Sequence, residues 1–160
     1  PEAQMDRFMF KLLVDYPTKA DEIEIMKKMS TDDTPVVDSV ITKEELLSAR
    51  ELVSKIYVDD KVQTYIVDLV MATRNPVEYG VGHLEYLVQV GGSPRATISL
   101  MRASKAHAFI RGRGYVTAED VKAIAYMVLR HRLILTLEAE AEEVVSEMVI
   151  RDMLNEIEVP

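Results

Sequence analysis

Apolar residues recur at helical spacing along most of this chain of 160 residues. In the stretch 60–73 they follow the spacing i, i+3, i+4, i+7, i+8, which places them on one face of an α-helix. They are Val62, Tyr65, Ile66, Leu69 and Val70. The stretch after Thr117 repeats the spacing and predicts a second such helix. Its apolar residues are Val121, Ile124, Ala125, Val128 and Leu129. Because each apolar face must pack against another element, the spacing predicts a mainly α fold.

Capping signals mark where further helices begin. Thr42 stands three residues before Glu45, the spacing of a capping box, and predicts a helix that begins there. Ser93 followed by Pro94 predicts the start of a helix that runs to about Ile110. Residues 20–30 and the acidic segment 138–156 also favour helix. In contrast, residues 74–92 contain Pro76 and four glycines and predict a long loop.

One segment does not fit a helical pattern. Residues 8–16 form an almost continuous apolar run that predicts a short buried strand, and Pro17 would end it. A single strand cannot form a stable sheet alone. The strand therefore either pairs with a strand later in the chain or belongs to a sheet that lies upstream. Because the rest of the sequence predicts almost entirely helix, we expect a fragment whose remaining sheet lies upstream.

Charge is unevenly distributed along the chain. The formal net charge is −8, but residues 91–133 carry eight lysines or arginines against Glu119 and Asp120, a local charge of +6. A basic segment in an acidic protein predicts a local anion site. The alternative is a solvated helical surface that pairs with acidic neighbours, and composition leaves both interpretations open. There is no cysteine, and no apolar run approaches the length of a membrane span, so we expect a cytoplasmic protein.

The turn at residues 91–95 is the strongest local motif. Ser93 caps a helix whose first N–H groups and partial positive charge can hold an anion, and Arg95 adds a guanidinium at the same end. The pattern predicts a phosphate site, although an ordinary capped turn has the same residues. The three histidines lack the i, i+4 spacing of a helical metal pair, so no metal site is predicted.

The catalytic motifs of a nucleotide hydrolase are absent from this sequence. No Gly-x-x-x-x-Gly-Lys-Ser/Thr loop occurs that could hold a triphosphate, and no apolar strand ends in paired acids that could hold magnesium. The chain alone therefore has no visible catalytic centre.

Several ordered motifs together resemble the C-terminal part of MoxR-type AAA+ ATPases. Residues 1–8, with the sequence Pro-Glu-Ala-Gln-Met-Asp-Arg-Phe, are similar to a segment of that family. Residues 92–96 resemble its Gly-Ala-Ser-Pro-Arg-Ala turn, with Gly92 in the alanine position. Residues 111–117 and 128–133 match two further segments, and the likeness extends over essentially the whole chain. The loop before the turn is longer than is usual in the family.

The resemblance implies an architecture and a set of roles. Residues 1–16 would be the end of the α/β nucleotide-binding core, and residues 17–160 would be the helical lid. Arg7 would be an arginine finger that points at the nucleotide of the neighbouring subunit. Arg95 would be the sensor-2 arginine, and Gly92, Ser93 and Pro94 would complete the nucleotide-binding turn.

The resemblance also implies an activity for the full-length parent. It would be an ATPase that uses ATP and Mg²⁺, forms a homo-oligomeric ring, expected to be a hexamer, and acts as a chaperone. Its expected partners are proteins with von Willebrand factor A domains. The fragment alone is expected to bind no cofactor and to be inactive. Two alternatives remain, a nucleic-acid-binding helical module, disfavoured by the acidic remainder of the chain, and a stand-alone helical interaction domain.

Overall fold

The computed structural model describes residues 2–31 and 36–160, and within them the chain is mainly helical. The helices are α1 (Glu2–Met5), α2 (Lys19–Met29), α3 (Lys43–Ser54), α4 (Asp60–Ala72), α5 (Pro94–Ile110), α6 (Ala118–Leu129), α7 (Leu137–Ala141) and α8 (Ser146–Glu156). The predicted mainly α fold is confirmed. Pro1, the first residue of the segment that resembles the MoxR family, lies outside the described residues.

The chain forms two compact units. The larger unit contains the residues up to Lys11 together with Glu51–Pro160, and the smaller unit is Leu12–Arg50. No helix in the described part of the chain is both long and apolar enough to cross a membrane.

The core of the larger unit lies among α4, α5, α6 and α8. The predicted apolar faces of α4 and α6 are confirmed, because every residue assigned to them is buried. Leu100 of α5 and Ile150 of α8 are fully buried in the same core. Burying one such aliphatic side chain contributes about 1.5–3 kcal/mol relative to leaving it exposed.

Short elements fill the predicted loop before α5. Two 3₁₀ turns, Pro76–Tyr79 and Gly82–Leu84, are followed by strand β1 (Val88–Val90). This strand pairs antiparallel with β2 (Ile134–Leu135), which follows α6. The loop is therefore held at the end of the α5–α6 hairpin rather than projecting from it.

The predicted strand at residues 8–16 is wrong. Residues 8–16 form neither helix nor strand, because among the described residues no strand pairs with them to complete a ladder. One main-chain hydrogen bond joins this segment to the helical unit, from Lys11 N to Met127 O at 2.9 Å. The acidic segment 138–156 is helical as expected, and it consists of two helices, α7 and α8. Glu143 between them has a φ of 57°, a left-handed conformation that an α-helix cannot pass through.

The smaller unit contains α2 and the first part of α3. The predicted capping box is confirmed, since Glu45 N donates to Thr42 Oγ1 at 3.1 Å and Thr42 N donates to the Glu45 carboxylate at 2.8 Å. Neither α2 nor α3 has a fully buried residue, and Leu46 in the first part of α3 is 52% exposed. A two-helix unit of this size has little apolar surface to pack against.

Candidate functional site

The carboxylate of Asp6 lies at the N-terminus of α5 and accepts hydrogen bonds from three side chains. Ser93 Oγ donates to Asp6 Oδ2 at 2.8 Å, and Arg95 Nη1 approaches the same oxygen at 3.5 Å. Arg132 Nε, from the turn after α6, donates to Asp6 Oδ1 at 3.0 Å. The structure thus brings the N-terminal segment, the start of α5 and the end of α6 together at one carboxylate.

The charge of Asp6 is stabilised by these donors. Partial burial by itself would raise the pKa of Asp6, but the hydrogen bonds from Ser93 and Arg132 and the charge of Arg132 outweigh burial. The net effect lowers the pKa of Asp6 below its ordinary value. The carboxylate is therefore ionised at neutral pH, and its single negative charge offsets part of the charge of the two arginines beside it.

The turn that leads into α5 is fixed against the C-terminal end of α4. Gly92 N donates to Thr73 Oγ1 at 2.8 Å, and Arg74 Nε donates to Gly92 O at 2.7 Å. The backbone of Gly91 passes so close to Thr73 that a Cβ atom on this glycine would lie 2.3 Å from Thr73 O. A side chain therefore cannot be placed at residue 91 without moving the turn. This contact gives Ser93 and Arg95 a defined position.

The four residues predicted to bind a nucleotide, residues 92–95, differ in whether they have hydrogen-bond donors free for a ligand. The Gly92 amide already donates to Thr73, and Pro94 has no N–H. Ser93 Oγ donates to Asp6 and accepts from Arg95 N at 3.1 Å, so it acts as the helix cap that the sequence predicts. The Arg95 side chain is 60% exposed, and its only described ion pair is the 3.5 Å contact with Asp6. Arg95 is thus the member of this set with donors available to an anion.

Arg7, the predicted finger, directly follows Asp6 and is exposed. Arg132 holds the residues on both sides of Arg7, because its guanidinium donates to Asp6 O at 3.0 Å and to Phe8 O at 2.7 Å. The two arginines singled out by the sequence therefore lie in segments that are joined through Asp6.

The sequence alone did not single out Asp6 or Arg132 as site residues. Both residues lie inside segments that resemble the MoxR family, and this resemblance was the one sequence signal that could have identified them. Their contact joins residues 126 positions apart, and no spacing rule could have predicted it. Thr73 was missed for the same reason, since it lies at the end of a helix predicted only from its apolar face.

A second polar cluster fixes α6 relative to α5. Asp120 is fully buried and accepts two hydrogen bonds from the guanidinium of Arg113, one from Thr117 N at 2.8 Å, and shares one with His107 Nδ1 at 2.7 Å. Burial would raise the pKa of Asp120, but the hydrogen bonds, led by those of Arg113, hold the pKa far below its ordinary value. This cluster supports the helix pair whose ends carry Arg95 and Arg132.

Half of the basic side chains in the segment 91–133 form ion pairs with carboxylates. These pairs are Arg95 and Arg132 with Asp6, Arg113 with Asp120, and Arg130 with Glu147. Asp6 and Glu147 lie outside the segment and offset two of its six net positive charges, so the fold balances part of this charge and weakens the support for the nucleic-acid alternative. Within residues 2–31 and 36–160 no group of three potential metal ligands is found.

The comparisons with known proteins agree with this architecture. Residues 85–153, which include α5, α6 and β2, match the AAA lid domain family. The whole chain is 38% identical to the chaperone MoxR1 of Mycobacterium tuberculosis. The chain is therefore similar over its whole length to MoxR chaperones, and its residues 85–153 are similar to AAA lid domains. A second MoxR relative, the protein MoxR of Paracoccus denitrificans, is 29% identical over 85% of the chain.

A solved structure supports the same assignment. The crystal structure of a candidate ATPase from Cytophaga hutchinsonii superposes on the whole chain with a TM-score of 0.95 at 38% identity. The chain covers 49% of that protein, 42% of the mycobacterial chaperone and 43% of the Paracoccus protein. It thus spans less than half of the length of these relatives.

Proposed function

We propose that this chain supplies the lid, residues 17–160, and the end of the ATPase core, residues 1–16, of a MoxR-type chaperone. The full-length protein would couple ATP binding and hydrolysis to the assembly or activation of partner proteins. Similarity to MoxR proteins over the whole chain supports this proposal, as does the name of the mycobacterial relative, a chaperone. The proposed partners are proteins with von Willebrand factor A domains, and the proposed assembly is a homo-oligomeric ring, expected to be a hexamer.

The observation that carries the proposal is the position of Arg95. It lies in the first turn of α5, where the helix dipole favours an anion, and most of its side chain is exposed. A guanidinium has five N–H donors, and the described structure uses one of them, at 3.5 Å from Asp6. Arg95 can therefore bind a phosphate and keep or release the Asp6 contact. These residues fit the sensor-2 role.

ATP with Mg²⁺ would supply the transferable phosphoryl group when bound to the full-length protein. Arg95 would orient that group from the lid of the same subunit, and Arg7 would reach it from the neighbouring subunit of the ring. Both would stabilise negative charge that develops during phosphoryl transfer. A lysine would not replace either one fully, because it lacks the planar fork of the guanidinium.

Substitution of Arg95 in the full-length protein tests the sensor-2 role. Arg95→Ala is expected to lower kcat for ATP hydrolysis by about 10²–10³-fold, the usual effect of removing one stabilising donor, with a smaller effect on nucleotide affinity. Arg102→Ala is the matched control, since Arg102 is an exposed arginine on the same helix. Unchanged turnover in the Arg95 variant would contradict the assignment.

Mixed rings test the role of Arg7. Rings of Arg7→Ala subunits should be inactive, and mixing them with subunits that carry a disabled phosphate loop should restore turnover. The restored activity arises at interfaces where an intact finger meets an intact phosphate loop. If mixing restores nothing, Arg7 is not a finger supplied in trans.

A further inference from the structure

Arg132 is a buried arginine whose side chain is directed at the segment that contains Arg7. Its side chain is 1% exposed, and its guanidinium donates to the carboxylate of Asp6. The same guanidinium donates to the main-chain oxygens of Asp6 at 3.0 Å, Phe8 at 2.7 Å and Met9 at 3.2 Å. One side chain therefore contacts the backbone on both sides of Arg7.

The position of the Arg132 guanidinium is itself fixed by the helices beneath it. It donates to Val128 O, one turn earlier at the end of α6, and to Ser99 Oγ of α5 at 3.3 Å. A buried guanidinium with this many partners has little freedom to move, because any displacement would leave buried polar groups unpaired. The segment 6–9 is thus attached to a rigid part of the fold.

His131 adds a second contact to the same segment. Its Nε2 lies 3.0 Å from Phe8 O, which can accept a hydrogen bond only if Nε2 carries a proton. Burial is the main cause that lowers the pKa of His131, so the neutral imidazole with a proton on Nε2 fits the site. Two consecutive residues, His131 and Arg132, therefore hold the Phe8 carbonyl.

We propose that Arg132 is a positioning residue that sets the direction of the Arg7 side chain, an inference that rests on the proposed finger role of Arg7. Arg132 holds the main chain before and after Arg7 and leaves the Arg7 side chain exposed. A displacement of a catalytic group by about 1 Å can lower a rate by about 10²-fold. The lid would thereby determine how well one subunit serves the nucleotide site of the next.

Spin labelling of the 160-residue chain measures the positioning effect without any activity. The chain has no cysteine, so Arg7→Cys provides a single site for a nitroxide label. With Arg132 present the label should give the broadened spectrum of an ordered segment, and Arg132→Lys should give a narrow, mobile one. Arg130→Lys is the matched control, because Arg130 pairs with Glu147 and does not contact the segment. An unchanged label spectrum in Arg132→Lys overturns the proposal.

Mixed rings of the full-length protein test the consequence. Arg132→Lys rings should lose about 10–100-fold in kcat with little change in KM for ATP, and subunits with a disabled phosphate loop should restore turnover as they do for Arg7→Ala. If Arg7→Ala is rescued in this way and Arg132→Lys is not, the positioning role is wrong. If neither is rescued while the label is mobilised, the finger role fails and the effect of Arg132 on the segment stands.

A folding defect in Arg132→Lys would be visible as a loss of helical circular dichroism. In that case Asp6→Asn replaces Arg132→Lys as the test variant. The Asp6→Asn substitution removes the charge of one acceptor and keeps the buried guanidinium of Arg132. It should mobilise the label at residue 7 to an intermediate degree. A label as ordered as in the parent chain would overturn the proposal in that case too.

Discussion

Gly91 and Gly92 are adjacent in sequence, yet the structure assigns them different tolerance to a side chain. A Cβ on Gly91 would lie 2.3 Å from Thr73 O and 2.6 Å from Thr73 Oγ1, distances that real Cβ atoms do not show. A Cβ on Gly92 would lie 3.2 Å from the Cβ of Ala96 and 3.5 Å from Val70 Cγ1, which small shifts can accommodate. We therefore predict that Gly91→Ala is strongly destabilising and that Gly92→Ala is not.

The magnitude follows from two contributions. Forcing one methyl group into a well-packed site costs about 1–3 kcal/mol. Moving the turn also breaks the buried hydrogen bond from Gly92 N to Thr73 Oγ1, which costs about 1–3 kcal/mol more. Gly91→Ala should thus lower the free energy of unfolding by about 4 kcal/mol, within the combined range. In Gly92→Ala, the lower conformational entropy of the unfolded chain stabilises the fold by about 0.4–1 kcal/mol, which offsets the free-energy cost of the close contact with Ala96.

Urea unfolding followed by far-UV circular dichroism measures both variants in the same chain. A loss of about 4 kcal/mol would lower the melting temperature of a chain of this size by about 8–16 °C, so thermal melting gives a second readout. Gly92→Ala should remain within about 1 kcal/mol of the parent chain. Equal unfolding midpoints for the two variants would refute the close approach of Gly91 to Thr73.

Two further predictions concern polar groups behind the site. Asp120→Asn should lower the free energy of unfolding by about 3–5 kcal/mol in urea, because it leaves Arg113 without its buried partner, whereas Glu119→Gln at the exposed neighbour should change little. The pKa of His131 is lowered by burial below its ordinary value of 6.5. The unfolded state therefore binds more protons, and stability should fall as the pH drops below about 6.5 towards the lower native pKa. Urea unfolding at about pH 7.5 and about pH 5.5 should show a smaller pH effect in His131→Gln, and an equal effect would contradict the burial of the imidazole.

Much of the helical framework could be predicted from the sequence because its determinants are local. The apolar face of α4 and the cap of α5 at Ser93 each depend on residues within a few positions of one another. The predicted strand at residues 8–16 was wrong because strand formation depends on a partner that an apolar run does not specify. The break at Glu143 was missed because a single left-handed residue leaves no periodic signal.

In the candidate site, too, local motifs could be predicted from the sequence and contacts between distant segments could not. The motif at residues 91–95 and the exposed Arg7 could be proposed from the sequence and its family resemblance. The sequence could not reveal that Gly92 uses its amide on Thr73, or that Asp6 lies where an anion was expected at the start of α5. Both contacts join segments that are distant along the chain.

By itself the sequence determined where the helices begin, which faces are apolar, and which arginines stand in family motifs. These properties follow from spacing and from capping chemistry over a few residues. Only the tertiary structure decided that Arg132 holds the segment of Arg7 and that one carboxylate, Asp6, joins this segment to Arg95. Such contacts depend on how α5 and α6 pack, because packing sets which side chains meet across 126 residues of chain.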